Sequence, residues 1–133
     1  MFKVLKIDRC AMTSFIDLLN LDTGTQDLSC FDDSAVVSDE NFSFMEESKI
    51  YDCKLMLFGE FEEDPTKPGT EVTITEQGVL IGIRKCFKAL INSDVYYILE
   101  TDAENIVVKE KMRYDFTRID LIQVDNVVHA DFL

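Results

Sequence analysis

At 133 residues and 15.3 kDa the chain has the size of one domain and is read as a single unit over residues 1–133. A hydrophobic content of 47% excludes a disordered chain. The net charge of -13, from 26 acidic against 13 basic residues, argues against nucleic acid or an anionic membrane as partner, because phosphate binding depends on Lys and Arg.

From Met1 to Asp8 apolar and polar side chains alternate, which predicts a first strand rather than a secretory leader, and places the protein in the cytoplasm. Met12–Leu21 and Gln26–Phe31 read as the next strands, joined by an Asp22-Thr23-Gly24-Thr25 turn. Ser38 to Met45 opens like a short helical turn, with Ser38 or Asp39 as cap. Between Tyr51 and Phe61 the alternation is clearest: Tyr51, Cys53, Leu55, Leu57 and Phe61 share one face. Met56 and Phe58 join Asp52, Lys54 and Glu60 on the other, so this strand is expected to be covered on both sides at its far end.

Glu62 to Gly69 holds both prolines and reads as a loop. Val72–Thr75 is a short strand with a turn at Gln77-Gly78, and Val79–Ile91 reads as one long strand bent at Gly82. Asn92-Ser93-Asp94 then turns into a Val95–Leu99 strand, and Asp102–Lys111 could form a second short helix. In the last strand, Arg113–Val124, the apolar parity changes between Leu121 and Ile122, which predicts a bulge. About seven to nine short strands joined by hairpins define an all-β fold, mainly antiparallel, built as a small barrel or sandwich. An OB-like barrel is one such form, and at most one or two short helices accompany it.

Cys10, Cys30, Cys53 and Cys86 form no C-x-x-C pair, and His129 is the only histidine. They read as free thiols buried like small hydrophobes rather than as a zinc site or as two disulfides. Asp32, Asp33, Asp39 and Glu40 lack the spacing of a calcium loop, and the glycines form no phosphate-binding loop, so neither metal nor cofactor is expected.

Charge is concentrated in the first half: residues 1–64 carry fifteen acidic against five basic side chains, residues 65–133 eleven against eight. From Cys10 to Ser48 the acids Asp17, Asp22, Asp27, Asp32, Asp33, Asp39, Glu40, Glu46 and Glu47 meet no Lys or Arg, and Phe31, Phe42 and Phe44 are interleaved with them. Apolar anchors in a charged rim are the composition of a protein-docking face. The candidate partner-binding residues are Asp17, Asp27, Phe31, Asp32, Asp33, Asp39, Glu40, Phe42, Phe44, Glu46 and Glu47. The alternative is a solvated acidic surface, with the phenylalanines pinning a loop to the core.

The segment Leu21-Asp22-Thr23-Gly24-Thr25, with Leu80-Ile81-Gly82, resembles the Asp-Thr-Gly loop and apolar-apolar-Gly element of retroviral-type aspartic proteases. That resemblance implies a dimer in which two Asp22 carboxylates share a proton and activate water. The same residues also make an ordinary hairpin turn, and no other catalytic set is legible, so the chain is expected not to be an enzyme. Small size, acidity, cytoplasmic character and the absence of a catalytic set together resemble the immunity proteins of bacterial toxin systems. The resemblance implies a protein that occludes a basic nuclease toxin through its acidic, Phe-containing surface. A β-barrel module that binds a ligand or acts as an adaptor is the competing expectation.

Overall fold

The computed structural model describes residues 1–101 and 106–133. Among these residues the chain forms β1 (Phe2–Cys10), β2 (Thr13–Asn20), β3 (Gln26–Asp32), α1 (Ser34–Val37), β4 (Ile50–Tyr51), β5 (Cys53–Phe61), β6 (Thr70–Ile81), β7 (Arg84–Ile91), β8 (Asp94–Leu99), β9 (Lys111–Val124) and β10 (Val127–Val128), ending in a 3-10 turn, Ala130–Phe132. The fold is all-β, as its alternating sequence requires.

Strand β9 organises the molecule. One of its edges pairs antiparallel with β5 along Cys53–Phe61, while the other is shared by β6 at Lys111–Tyr114, by β3 at Asp120 and by β10 at Gln123–Val124. Since β5 continues through β8 and β7 to β6, the β6–β9 pairing closes a five-strand ring in the order β9-β5-β8-β7-β6. Closure removes the unpaired edges that an open sheet would expose. The β4-β1-β2-β3 sheet attached through β3 lies outside this ring. Pairing is antiparallel except at β5–β8 and β3–β9.

The inward residues of the two parts meet in one core. Val4, Ile16 and Leu18 from the meander join Leu55, Leu57, Val72, Ile74 and Phe87 from the ring. A second, smaller cluster of Ile81, Cys86, Ile122 and Phe132 draws in Met56, Tyr97, Leu99 and Val128. Met56 and Tyr97 alternate with core residues along their strands, so this cluster lies on the outer face of the ring. The C-terminal turn covers it, with the Ile83 N–H donating to the Phe132 carbonyl at 2.7 Å.

Several sequence expectations change. Strand β5 is covered on its outer side at Met56, not at its far end, where Phe58 is 50% exposed. Two glycines exchange roles. Gly82, expected at a bend inside one strand, is the turn between β6 and β7 with φ +58°, and Ile83 beside it is exposed. Gly78, expected in a turn, lies within β6 at φ +69° as a bulge, where the register against β7 shifts. Both demand positive φ, which sequence identifies, but only pairing decides whether the chain then reverses.

The expected helical turn over Ser38–Met45 is absent; the α-helical turn lies before it, at Ser34–Val37. The Asn41 side chain donates to the Ser38 carbonyl and accepts from Ser43 N–H, and the Ser38 hydroxyl accepts from Glu40 N–H, so polar side chains take the bonds that a helix would have used. Of the helix expected over Asp102–Lys111, residues 102–105 lie outside the described residues, residues 106–110 are irregular, and Lys111 already belongs to β9. The bulge expected near Leu121 is present. Leu55 pairs with Leu121 and Lys54 with Gln123, so Ile122 is the extra residue and turns outward to the second cluster.

Candidate protein-docking surface

The acidic segment divides by strand parity and by the anchoring of one loop. Along β3, Asp27, Cys30 and Asp32 point inward and Phe31 points outward. Asp27 accepts from the Tyr96 hydroxyl at 2.6 Å, and Asp32 accepts from both Ser34 N–H and Ser34 Oγ. Phe42, 1% exposed, sits in the main core, its ring 6.3 Å from that of His129. Asp27, Asp32 and Phe42 are therefore interior residues, and their assignment to a partner face is corrected.

Asp17, Phe31 and Asp33 are half-buried. Asp17 accepts from Ser29 N–H at 2.7 Å, and Asp33 meets His129 Nε2 at 2.6 Å. His129 Nδ1 accepts from Asp131 N–H, which orients Nε2 to donate to Asp33.

Asp39, Glu40, Phe44, Glu46 and Glu47 are exposed together on the loop between α1 and β4. Two inward anchors, Phe42 and Met45, fix this loop. Its return along the free edge of β1 is bonded through Ser48 N–H to Val4 O at 2.8 Å, Val4 N–H to Lys49 O at 2.9 Å and Ile7 N–H to Glu47 Oε1 at 3.1 Å. Phe44, 42% exposed, lies edge-on to Tyr51 at 5.8 Å. Among the described residues, none of the four acids on the loop is in an ion pair.

The Asp22 motif makes a latched turn. Asn20 N–H donates to Thr25 O and Gly24 N–H to Asn20 O, each at 2.8 Å, with Gly24 at φ +79°. Thr23 and Thr25 hydroxyls donate to the two carboxylate oxygens of buried Asp94, at 2.6 and 2.7 Å, and the Asn20 amide adds a third donor at 3.4 Å. Asp22 itself points outward, its side chain 81% exposed and 3.5 Å from the α-ammonium of Met1. Sequence reasoning missed Asp94 because its partners lie 69 to 74 residues away along the chain.

Burial raises the Asp27 carboxyl above the ordinary carboxylate range, opposed by the Tyr96 hydrogen bond and assisted by the charge of Asp94. The folded chain thus holds this proton more tightly than the unfolded chain. Ionisation of Asp27 costs stability as pH rises from the ordinary range through the raised value; the cost is absent below that window and complete above it. Asp27→Asn still accepts from Tyr96, so it is expected to be more stable than the wild type at pH 7 and to lose that advantage below about pH 4. Asp27→Ala strands the Tyr96 hydroxyl and is expected to cost about 1–3 kcal/mol. Urea unfolding midpoints at the two pH values check both; an Asn variant weaker than wild type throughout would contradict the sign.

All four cysteines are free thiols. Burial pushes Cys53 up to about 12 and Cys86 up to about 11, and raises Cys30 as well, so these three are poor nucleophiles at neutral pH. Cys10 departs from the expected burial: it is exposed, at the end of β1. Among the described residues no group of three or more His, Cys, Asp or Glu side chains is placed to hold a metal ion.

A second surface feature escaped the sequence reading. The Arg118 guanidinium carbon lies 4.6 Å from the Phe31 ring centroid and 4.5 Å from that of Phe58, between rings carried by the strands on either side of β9. Arg118 also binds Asp120 through Nε and, at 3.0 Å, through Nη2. Phe15, 42% exposed, extends the row from β2, its ring 5.5 Å from Phe31. The available signal was parity: Phe15 and Phe58 alternate with buried residues and so face outward.

Fold and surface together define an all-β protein that carries an anchored, exposed acidic loop and an outward aromatic row. No protein-family model matches the chain, and no curated protein or solved structure matches it. Among the described residues, no helix is long and apolar enough to cross a membrane.

Proposed function

We propose that the chain is an inhibitor of the immunity kind, which binds a basic protein, a nuclease toxin domain, and occludes its substrate-binding cations. One observation carries this reading: Phe42 and Met45 hold a loop on which Asp39, Glu40, Glu46 and Glu47 are exposed along with the half-exposed Phe44 ring. A loop anchored from within loses little entropy when a partner docks, and its four exposed carboxylates outnumber the one guanidinium on it, that of Arg9, which donates to the Ser43 and Met45 carbonyls at 3.4 Å. Long-range attraction speeds encounter, and the ring supplies the short-range contact that slows dissociation.

Titration with the product of the adjacent reading frame tests the proposal. Tight binding that weakens with added salt is expected. Glu46→Lys with Glu47→Lys should slow association about tenfold or more, whereas Phe44→Ala should speed dissociation about thirtyfold with unchanged salt dependence. Binding indifferent to salt and to the charge reversal, or no binding, would overturn the reading.

A cavity of about 430 Å³, at the end of the ring where β5 and β8 finish and β9 begins, favours a ligand-binding module as the second reading. Phe61, Ile98, Met112 and Tyr114 line it together with Glu60, Glu62 and Arg113, a setting for an apolar ligand with a polar group.

A further inference from the structure

We infer that the row Phe15–Phe31–Arg118–Phe58 is the apolar centre of the face that receives the basic partner, with the free faces of its outer rings accepting a guanidinium or ammonium group from that partner. The inference rests on the inhibitor reading and extends its footprint from the acidic loop onto the sheet.

The fold does not require these outer rings. Core burial along β2 and β5 is supplied by Ile16, Leu18, Leu55 and Leu57, while Phe15 and Phe58 face outward on the same strands and remain about half exposed. Aromatic side chains with arginine among them are the composition enriched at the centre of protein interfaces. The row is also pre-organised: Arg118 is held between two rings and by Asp120, so docking has few rotamers left to fix.

Depressions flank the row on both sides. One, of about 410 Å³, is lined by Phe15, Leu28, Ser29, Phe116 and Arg118. The other, of about 210 Å³, is lined by Phe58, Arg84, Arg118, Asp33, Asp120 and Asp131. Each can take side chains from a partner.

Charge selects that partner. Arg118 is neutralised by Asp120, and Arg84 lies 5.5 Å over the Phe132 ring. In the depression beside Phe58 the carboxylates Asp33, Asp120 and Asp131 outnumber the guanidinium groups of Arg84 and Arg118 by one, on a chain of net charge -13. A second copy of the chain would be repelled, and a nucleic acid would find its arginine engaged. A cation from a basic protein meets both the exposed rings and the surplus negative charge.

The row and the acidic loop are linked through the interior. Phe42, which anchors the loop, touches His129; His129 binds Asp33; and Asp33 lines the depression beside Phe58.

The test uses the full chain and the product of the adjacent reading frame. Phe58→Ala is expected to weaken binding about tenfold and the Phe15→Ala, Phe58→Ala pair about a hundredfold, through faster dissociation at unchanged association rate and thermal midpoint. Phe58→Trp should retain or strengthen binding, because indole is the better cation acceptor. Phe58→Lys, at a site exposed enough to tolerate it, should abolish binding by repelling the incoming cation. If Phe58→Lys and the alanine pair bind within about twofold of wild type while the Glu46, Glu47 reversal weakens binding, the footprint is confined to the loop; this inference falls and the inhibitor reading stands. A wild-type chain that does not bind overturns both.

Discussion

Phe42→Ala is expected to lower the unfolding free energy by about 3–5 kcal/mol, a large share of the roughly 5–15 kcal/mol that holds a domain of this size together. The ring is 1% exposed and belongs to the core shared by meander and ring. Its backbone N–H donates to Ser34 Oγ, which in turn donates to buried Asp32, so a shifted backbone here disturbs a chain of buried polar bonds. Truncation leaves a cavity beside His129 and frees the loop that carries the candidate acids. Partner binding should fall with stability, because the carboxylates lose their fixed arrangement. Phe44→Ala is the control: its half-exposed ring should cost less than about 1 kcal/mol of stability while it weakens the complex. Urea unfolding read by circular dichroism separates the two, and a Phe42→Ala loss below about 1 kcal/mol would show that the loop is not anchored as described.

Gly59→Ala should be as damaging for a different reason. Gly59 lies opposite Phe116 where the β5–β9 register shifts, and a methyl group added there would land on the backbone of Asp115 and Phe116, first on the Asp115 carbonyl oxygen. No flexible side chain can yield, so the two strands must separate at a seam of the closed ring. The expected loss is about 3 kcal/mol or more, a fall in thermal midpoint of more than about 10 °C. Gly78→Ala is the comparison. Gly78 has open space around it and only its positive φ of +69° to resist substitution, so its cost should be about 1–2 kcal/mol. Equal midpoints for the two variants would refute the close approach of β9 to Gly59.

The residues of greatest consequence in these predictions were unequally visible beforehand. Phe42 could be read as either a docking anchor or a pin for its loop, and burial selects the second. Gly59 carried no signal, since close approach to another strand leaves no trace in the neighbouring residues. The exposed acids of the loop were legible as charge, yet Asp27 and Asp32 looked the same in sequence and are interior. Inward pointing at alternate positions separates them, together with hydrogen bonds from Tyr96, 69 residues away, and Ser34, only two away. Of the aromatic row only the outward parity of Phe15 and Phe58 was legible, because Phe15, Phe31, Phe58 and Arg118 come from four strands that only pairing brings side by side.

Period-two alternation by itself determined that the chain is all β, that Cys53–Phe61 and Arg113–Val124 lie in strands, though not that Tyr51 belongs to the separate β4, and that the last of these strands bulges near Leu121; these are local consequences of which face each side chain must bury. Composition likewise determined the acidic character and its concentration before residue 65. Tertiary structure alone decided that β6 closes on β9, that Gly82 turns the chain while Gly78 only bulges it, and which carboxylates reach solvent. Those outcomes depend on hydrogen bonds between strands far apart in sequence. The closure entropy of such contacts is offset only when the whole core assembles, so no local pattern encodes them.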